Sequence, residues 1–422
     1  MSKAKTAVSF SPYQVLIIFL IAITQFTVVL DFMVMSPLGD ILMKSMHLPP
    51  NQFSMVVSGY AISAGISGLL TAGFADRFDR KKLFLFFYIG FIGGTLFCGL
   101  AHNFPFLLAA RIVTGLFGGV IGSIAMAIIT DLFLPEQRGR VMGFAQMGLA
   151  ASQIMGVPVS LYLANHWGWQ SPFQMIVVLS LLIWLLIAWK MKPITHHLQV
   201  KQEKNALLHL AHTLLKRDYR IAFLATALLS LGAYMMMPWG STFAINNLKI
   251  TESQLPILFM ISGIGTMIIM PLVGTLSDKM DKFRLFTIAS IWMSIAVAVY
   301  TNMPPVAFWI IVAMNISMTL GIMGRMIPSS ALVTMLPDLP DRGAFMSINA
   351  SLQQIAGGIA TIASGYIVTR ANETSPLEHY NILGYLVVAV GLVCIWMLYR
   401  VNRLILPKKT LIDPAPAATL EH

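Results

Sequence analysis

The sequence predicts an all-α polytopic membrane protein whose twelve transmembrane helices form two six-helix bundles. Three observations predict it. Of the 422 residues, 57% are hydrophobic and only 11% are charged, where a soluble domain carries roughly 25% charged residues. Apolar windows of about 20 residues, the length that crosses a ~30 Å hydrocarbon core, recur from one end of the chain to the other. Two separate sequence patterns of the first half return in the second.

The windows fall at 13–37, 53–75, 82–101, 106–130, 141–165, 172–192, 220–246, 253–277, 284–302, 305–335, 344–369 and 380–402. All are expected to be helical, because backbone polar groups in lipid must be satisfied within the segment and nothing alternates as barrel strands do. The formal charge of +11 would point to nucleic acid in a soluble protein, but here the placement of each charge decides. With the N-terminus inside, the outer loops hold only Lys44, Lys249 and Arg370, two arginines lie within spans, and the remainder of the 28 Lys and Arg fall on the inner side. The positive-inside rule therefore predicts an inner (plasma) membrane protein with both termini cytoplasmic and no nucleic-acid partner. Cys98 and Cys394 fall within spans and read as small apolar residues. The first apolar run has no small-residue cleavage site after it and reads as a retained helix.

The repeat sets the domain organisation. GFADRFDRKKLF (73–84) matches TLSDKMDKFRLF (275–286), aligning Asp76 with Asp278; PEQRGRVMGF (135–144) matches DRGAFMSI (341–348), aligning Arg138 with Arg342. The expected units are an N-terminal bundle (1–192), a cytoplasmic linker (193–219), a C-terminal bundle (220–405) and a cytoplasmic tail (406–422) whose closing LEH has the look of a tag remnant. Within the linker, Leu207, Leu208, Ala211, Leu214 and Leu215 recur at helical spacing beside Lys204, Lys216 and Arg217, as in an amphipathic helix on the inner leaflet.

These residues carry a resemblance to the major facilitator superfamily over essentially the whole chain. The family's loop G-x-L-A-D-R-x-G-R-K between spans two and three is AGFADRFDRKK here, with Ala72 and Asp79 in place of two glycines and Asp281 at the second position in the other half. ARIVTGLFGG (110–119) resembles the R-x-x-q-G motif of the fourth span, with Arg111 as its arginine. GLAASQIMGVPVS (148–160) resembles the antiporter motif of the fifth, with Val157 interposed before Pro158 and no closing glycine pair. Together with HWGWQSPF and RGAFMSINASLQQ, this is similar to the drug:proton antiporter and sugar-efflux branch. The resemblance implies the gating loops: Asp76, flanked by Arg77 and Arg80, would face the start of span eleven near Gly343 and Arg342, and Asp278 the start of span five near Gly139 and Arg138. A carboxylate at a helix start is favoured by the free N–H groups and the dipole, so these contacts would hold the inner face shut.

Only three ionisable side chains stand well inside the spans: Asp31, Arg111 and Arg325. Each is costly at bilayer depth and invites a functional reading. At 1.5 Å per residue, Asp31 lies about 9 Å and Arg111 about 10 Å to the outer side of their spans' middles. Spans one and four line the cavity of the N-terminal half in this superfamily, which would let the two meet. Burial works for the protonated carboxyl and a guanidinium for the charged one, so a change in water access or partner switches the balance. The pair is either a proton-coupling site or a fixed ion pair; Arg111 itself cannot titrate. Their counterparts in the repeat are Met235 and Asn315, so proton chemistry would belong to the N-terminal half alone.

Arg325 is placed either to grip a carboxylate or phosphate or to bond backbone carbonyls near Pro328. YMMMPWG (234–240) offers Tyr234, Met237 and Trp239 as an adaptable pocket or as packing, and Gln25, Tyr60, Gln146, Gln153, Asn315, Asn349 and Gln353 are further candidate cavity liners. There is no phosphate-binding glycine loop, and the histidines show no metal-ligand spacing, so no cofactor, metal or enzymatic chemistry is expected. The expectation is a monomeric secondary transporter of a small organic solute by alternating access, driven by the proton gradient and exporting a lipophilic or amphiphilic compound. A proton symporter or uniporter for a sugar or organic anion is the alternative, and a non-transporting receptor a more distant one.

Overall fold

The computed structural model describes residues 10–72, 75–195, 198, 206–372 and 375–412. Twelve long helices succeed one another: α1 (Pro12–Val34), α2 (Pro50–Ala72), α3 (Arg80–Gly99), α4 (Phe104–Leu132), α5 (Pro135–Trp167), α6 (Ser171–Lys190), α7 (Arg217–Asn246), α8 (Gln254–Lys279), α9 (Lys282–Thr301), α10 (Phe308–Thr334), α11 (Arg342–Ile367) and α12 (Tyr380–Ile412). α12 runs on through 406–412, which were expected as tail; 413–422, with the tag-like end, and most of 196–205 lie outside the described residues.

Eleven of the twelve are long and apolar enough to cross a membrane. The exception is α11, with Asn349, Ser351, Gln353 and Gln354 and glycines at 357, 358 and 365. Its packing gives the reason, because α11 lies against α2 and α7 at the junction of the halves. A helix sheltered by protein need not be greasy, and small residues let neighbouring backbones approach closely.

The two halves are built alike. In the first, α1 packs on α5 and α6, α2 on α4, and α3 on α4 and α6; in the second, α7 packs on α11 and α12, α8 on α10, and α9 on α10 and α12. Each pairing thus recurs six helices later, as the sequence repeat requires. The departures from glycine in the loop motif have a local cause. Asp79 and Asp281 sit at φ −55° and −59° and cap α3 and α9, accepting from the N–H of Lys81 (2.9 Å) and Arg284 (2.8 Å). The turn is closed by a capping carboxylate, not by a left-handed residue.

Two spans are interrupted. In α5 residues Ser152–Gly156 form a π-turn, with the Val157 N–H bonded back to Ser152 O. The residue interposed before Pro158 is accommodated there, since a π-turn holds one residue more than an α-turn. In α7 Pro238 breaks the helix into a 3₁₀ turn at Met237–Trp239.

The linker contains the expected helix, Ala206–Leu215. It lies against α7 and α11, with Leu210 inward and Leu208 and Leu215 exposed. Asp341 at the start of α11 fastens it, accepting from Lys216 and from the Tyr219 hydroxyl (2.8 Å), with His209 Nε2 at 3.6 Å. The Lys216 ammonium holds the Asp341 carboxyl below the usual carboxylate range. The side chains of Lys204 and Leu207 lie outside the described residues.

Candidate functional site

Asp31 and Arg111 meet. Both are fully buried, and Arg111 Nη1 donates to Asp31 Oδ2 at 2.7 Å and, weakly, to the Asp31 carbonyl at 3.5 Å. Three helices make the arrangement: α1 brings the acid, α4 the arginine, and α3 the hydroxyl of Thr95, which donates to Asp31 Oδ1 at 3.1 Å. The ring of Tyr60, from α2, lies 4.7 Å from the guanidinium carbon, a contact worth about 2 kcal/mol in a desolvated setting. The pair is joined through one guanidinium nitrogen, and Arg111 Nε and Nη2 have no hydrogen-bond partner among the described residues. It lacks the two-pronged grip that fixes an arginine to a carboxylate.

Aromatic contacts carry this site across the molecule. Phe32 lies 5.3 Å from Tyr60 and 6.1 Å from Tyr234 in α7, centroid to centroid, and the Tyr234 hydroxyl donates to Gln354 Oε1 at 3.2 Å. Asp31, Arg111, Tyr60, Tyr234 and α11 are therefore contiguous. The sequence singled out four of these participants but not Thr95, Phe32 or Gln354, which are neutral residues of kinds that fill most spans.

Other candidates are placed differently. Trp239 is wholly buried against Phe53, with its indole N–H donating to Ser364 Oγ at 2.9 Å, so it wedges the halves together and lines no open space. Asn349 accepts from Thr226 (2.6 Å) inside the second half, and Asn315 Nδ2 donates to the Ile311 carbonyl one turn back (3.0 Å). Gln25, Gln153 and Gln353 are half-buried and Gln146 is exposed on α5. The carbonyl partners expected for Arg325 near Pro328 are not used: the guanidinium is buried with Nε and Nη2 unpartnered among the described residues, and Ser329 bonds the Arg325 carbonyl instead (2.6 Å). Arg80 is buried on Asp131 (3.1 Å), Arg138 caps the end of α4 through the Thr130 and Phe133 carbonyls (2.7 and 3.1 Å), and Arg77 and Arg342 are exposed.

The halves touch unequally along the bilayer normal. On the face away from the termini they are tied by hydrogen bonds: Ser36 Oγ to the Met237 carbonyl, Ser241 Oγ to the Ser36 carbonyl (2.6 Å), Asn246 Nδ2 to Asp40 Oδ1 (2.6 Å) and Arg370 Nη2 to the Leu48 carbonyl (3.3 Å). Asp40, 1% exposed, also pairs with Lys44 at 2.6 Å. Toward the termini contacts thin out. A Cβ built on Gly139, Gly143, Gly274 or Gly343 meets nothing within 4 Å. Asp278 is exposed and has no partner among the described residues, so its expected contact with the start of α5 is not made. The side chain of Asp76 lies outside the described residues.

A family model described as Major Facilitator Superfamily matches residues 21–361 and 222–419. The chain belongs to the major facilitator superfamily. By that membership it is a multi-pass membrane transporter and not an enzyme. The chain is 26% identical over 266 residues to the uncharacterized MFS-type transporter YceJ of Bacillus subtilis (strain 168), covering 62% of this chain and 66% of that protein. It is 28% identical over 142 residues to the multidrug resistance protein fnx1 of Schizosaccharomyces pombe, covering 34% of this chain and 27% of that one. Among solved structures, a bacterial homolog of the human lysosomal transporter Spinster, inward-facing and unoccupied, superposes with a TM-score of 0.77 at 16% identity, over 94% of this chain and 99% of that chain. That likeness establishes the superfamily's twelve-helix fold.

Proposed function

We propose that this transporter exports a lipophilic or amphiphilic organic compound in exchange for protons, with Asp31 as the proton carrier and Arg111 as its exchangeable partner. One observation carries the reading: a fully buried carboxylate held to a fully buried guanidinium through a single nitrogen. Such a carboxylate can trade its arginine for a proton when water or solute reaches it, because either one satisfies the charge. The match to a multidrug resistance protein supports the direction and the kind of solute. We place the protein in the inner (plasma) membrane with both termini cytoplasmic, following the distribution of Lys and Arg. In that orientation the tied face is external and the arrangement is inward-open. Asp278, exposed in this arrangement, then engages only when the cytoplasmic side closes, with Asp76 as its sequence counterpart in the other half, and the two halves rock about the seams α2–α11 and α5–α8.

The experiment is transport by purified protein in liposomes under an imposed pH gradient, with Asp31→Asn beside the wild type. An inward proton gradient should drive export of amphiphilic dyes by the wild type, and Asp31→Asn should lose gradient-driven export while retaining passive counterflow. If Asp31→Asn still exports against a gradient as the wild type does, Asp31 is not the proton carrier.

A further inference from the structure

The second half buries an arginine of its own that the exchange reaction does not use. Arg325 is 8% exposed and lies about four residues, roughly 6 Å, beyond the middle of α10 toward the terminal face. Two of its three guanidinium nitrogens have no hydrogen-bond partner, and no carboxylate stands within ion-pair distance among the described residues. The polar group it approaches is the thiol of Cys394 in α12, which also faces the Ala225 carbonyl of α7 at 3.6 Å. A guanidinium stays charged at any accessible pH, and buried charge in proteins is paired. An arginine in this position calls for an anion that the chain itself does not supply.

The surroundings have the shape to receive one. One helical turn before Cys394, on the same face of α12, stands Gly391. A Cβ there would lie 3.6 Å from Ser294 Oγ and 4.0 Å from Arg325 Nη2, so the absent side chain leaves room bordered by the hydroxyl of α9 and the guanidinium of α10. Ser294 now donates to the Ser290 carbonyl (2.8 Å), and a turn of its hydroxyl aims the proton into this space. Ser290 Oγ, 1% exposed, has no partner of its own among the described residues.

We propose that α9, α10 and α12 enclose an anion site, in which the Arg325 guanidinium and the Ser294 hydroxyl hold a free anion of a few atoms beside Gly391. Enclosure by three helices and the near-complete burial of Arg325 fit a halide or a small carboxylate and exclude a lipid headgroup. The site is independent of proton exchange at Asp31, because its occupancy needs no gradient and no carried solute.

The test is thermal unfolding of the purified full chain in a neutral detergent. Sodium chloride or sodium acetate is titrated while sodium gluconate, too large for the site, keeps the ionic strength constant. The wild type should gain a saturable rise in Tm of about 3 °C or more, the amount that an anion binding only the folded state supplies when well above its Kd. Arg325→Gln and Gly391→Leu, the second of which fills the space while keeping the charge, should each abolish the rise. Identical melting in chloride, acetate and gluconate overturns the proposal from the wild type alone. A rise that persists in both variants places the anion elsewhere and overturns it equally.

Discussion

Each half of the molecule buries an arginine within its fourth helix, Arg111 in α4 and Arg325 in α10, which follow the same packing plan, and the two are treated in opposite ways. Arg111 has a carboxylate, a threonine behind that carboxylate and an aromatic ring against its face. Arg325 has a thiol and two bare nitrogens. A charge that carries its own partner can be switched by taking the partner away, whereas a charge without one is completed by something that arrives. Duplication supplied one scaffold twice, and the side chains divided the electrostatic work between the copies.

The largest expected effect tests that contrast. Asp31→Leu leaves a buried guanidinium without its counter-charge and should destabilise the protein by about 3–5 kcal/mol. Arg325→Met removes a charge that has no partner, and in gluconate it should change stability by less than about 1 kcal/mol or improve it. Unfolding of both variants in detergent checks this; equal costs would erase the distinction. Next in size is space. At Gly65 a Cβ would come within 2.7 Å of the Ser351 carbonyl across the α2–α11 seam, so Gly65→Val should cost about 1–3 kcal/mol by forcing backbones apart. Gly391→Ala, whose Cβ meets only ordinary contacts, should be close to neutral.

A smaller shift is expected from the tie between the halves. Removing Asn246 leaves the buried Asp40 carboxylate short of a donor, and a lost bond of that kind is worth about 1–3 kcal/mol. Asn246→Ala should therefore open the tied face more often, read as a roughly tenfold faster alkylation of a cysteine placed at Met237; Cys98 and Cys394 are buried and stay silent. The smallest effect concerns pH. Lys216 holds the Asp341 carboxyl below its ordinary value, so the linker's attachment is intact above the usual carboxylate pKa of about 3.9 and is lost as pH falls through the lower folded value. Gln137, which occupies the matching place in the first half and bonds the Leu134 N–H (3.2 Å), has no charge to lose. Protease cleavage within 196–205 should accelerate at acid pH in the wild type, and already at pH 7 in Asp341→Asn.

The helices were legible because burial in lipid forces long apolar runs, and α11, the least apolar of the twelve, was still bounded by its polar ends. Asp31 and Arg111 were legible for a simpler reason: a fixed rise per residue converts sequence position into depth, and their depths agree. Asp40 was not, because it stands in what reads as an outer loop, where a carboxylate excites no interest until the chain folds over it. The surroundings of Arg325 were hidden for another cause. Gly391 and Cys394 of α12 and Ser294 of α9 are uncharged and lie far along the chain from Arg325 of α10, so no local pattern joins them to it. The place of Trp239 stays open in the sequence because an aromatic beside three methionines fits a pocket and a seal equally well, and only the partner half distinguishes the two.

The π-turn of α5 puts a rotational offset into a membrane span. Successive residues of an α-helix are about 100° apart around the axis, so the extra residue held at Ser152–Gly156 turns everything from Val157 onward by about that angle relative to an unbroken helix. The turn sits where Gln153 and Ile154 bear on Gly263 of α8, at about 3.1 and 3.0 Å from its built Cβ. Regularising it would swing Val159 and Tyr162 to another side of the molecule while Gly148, clasped against the Ala22 carbonyl of α1, stayed in place.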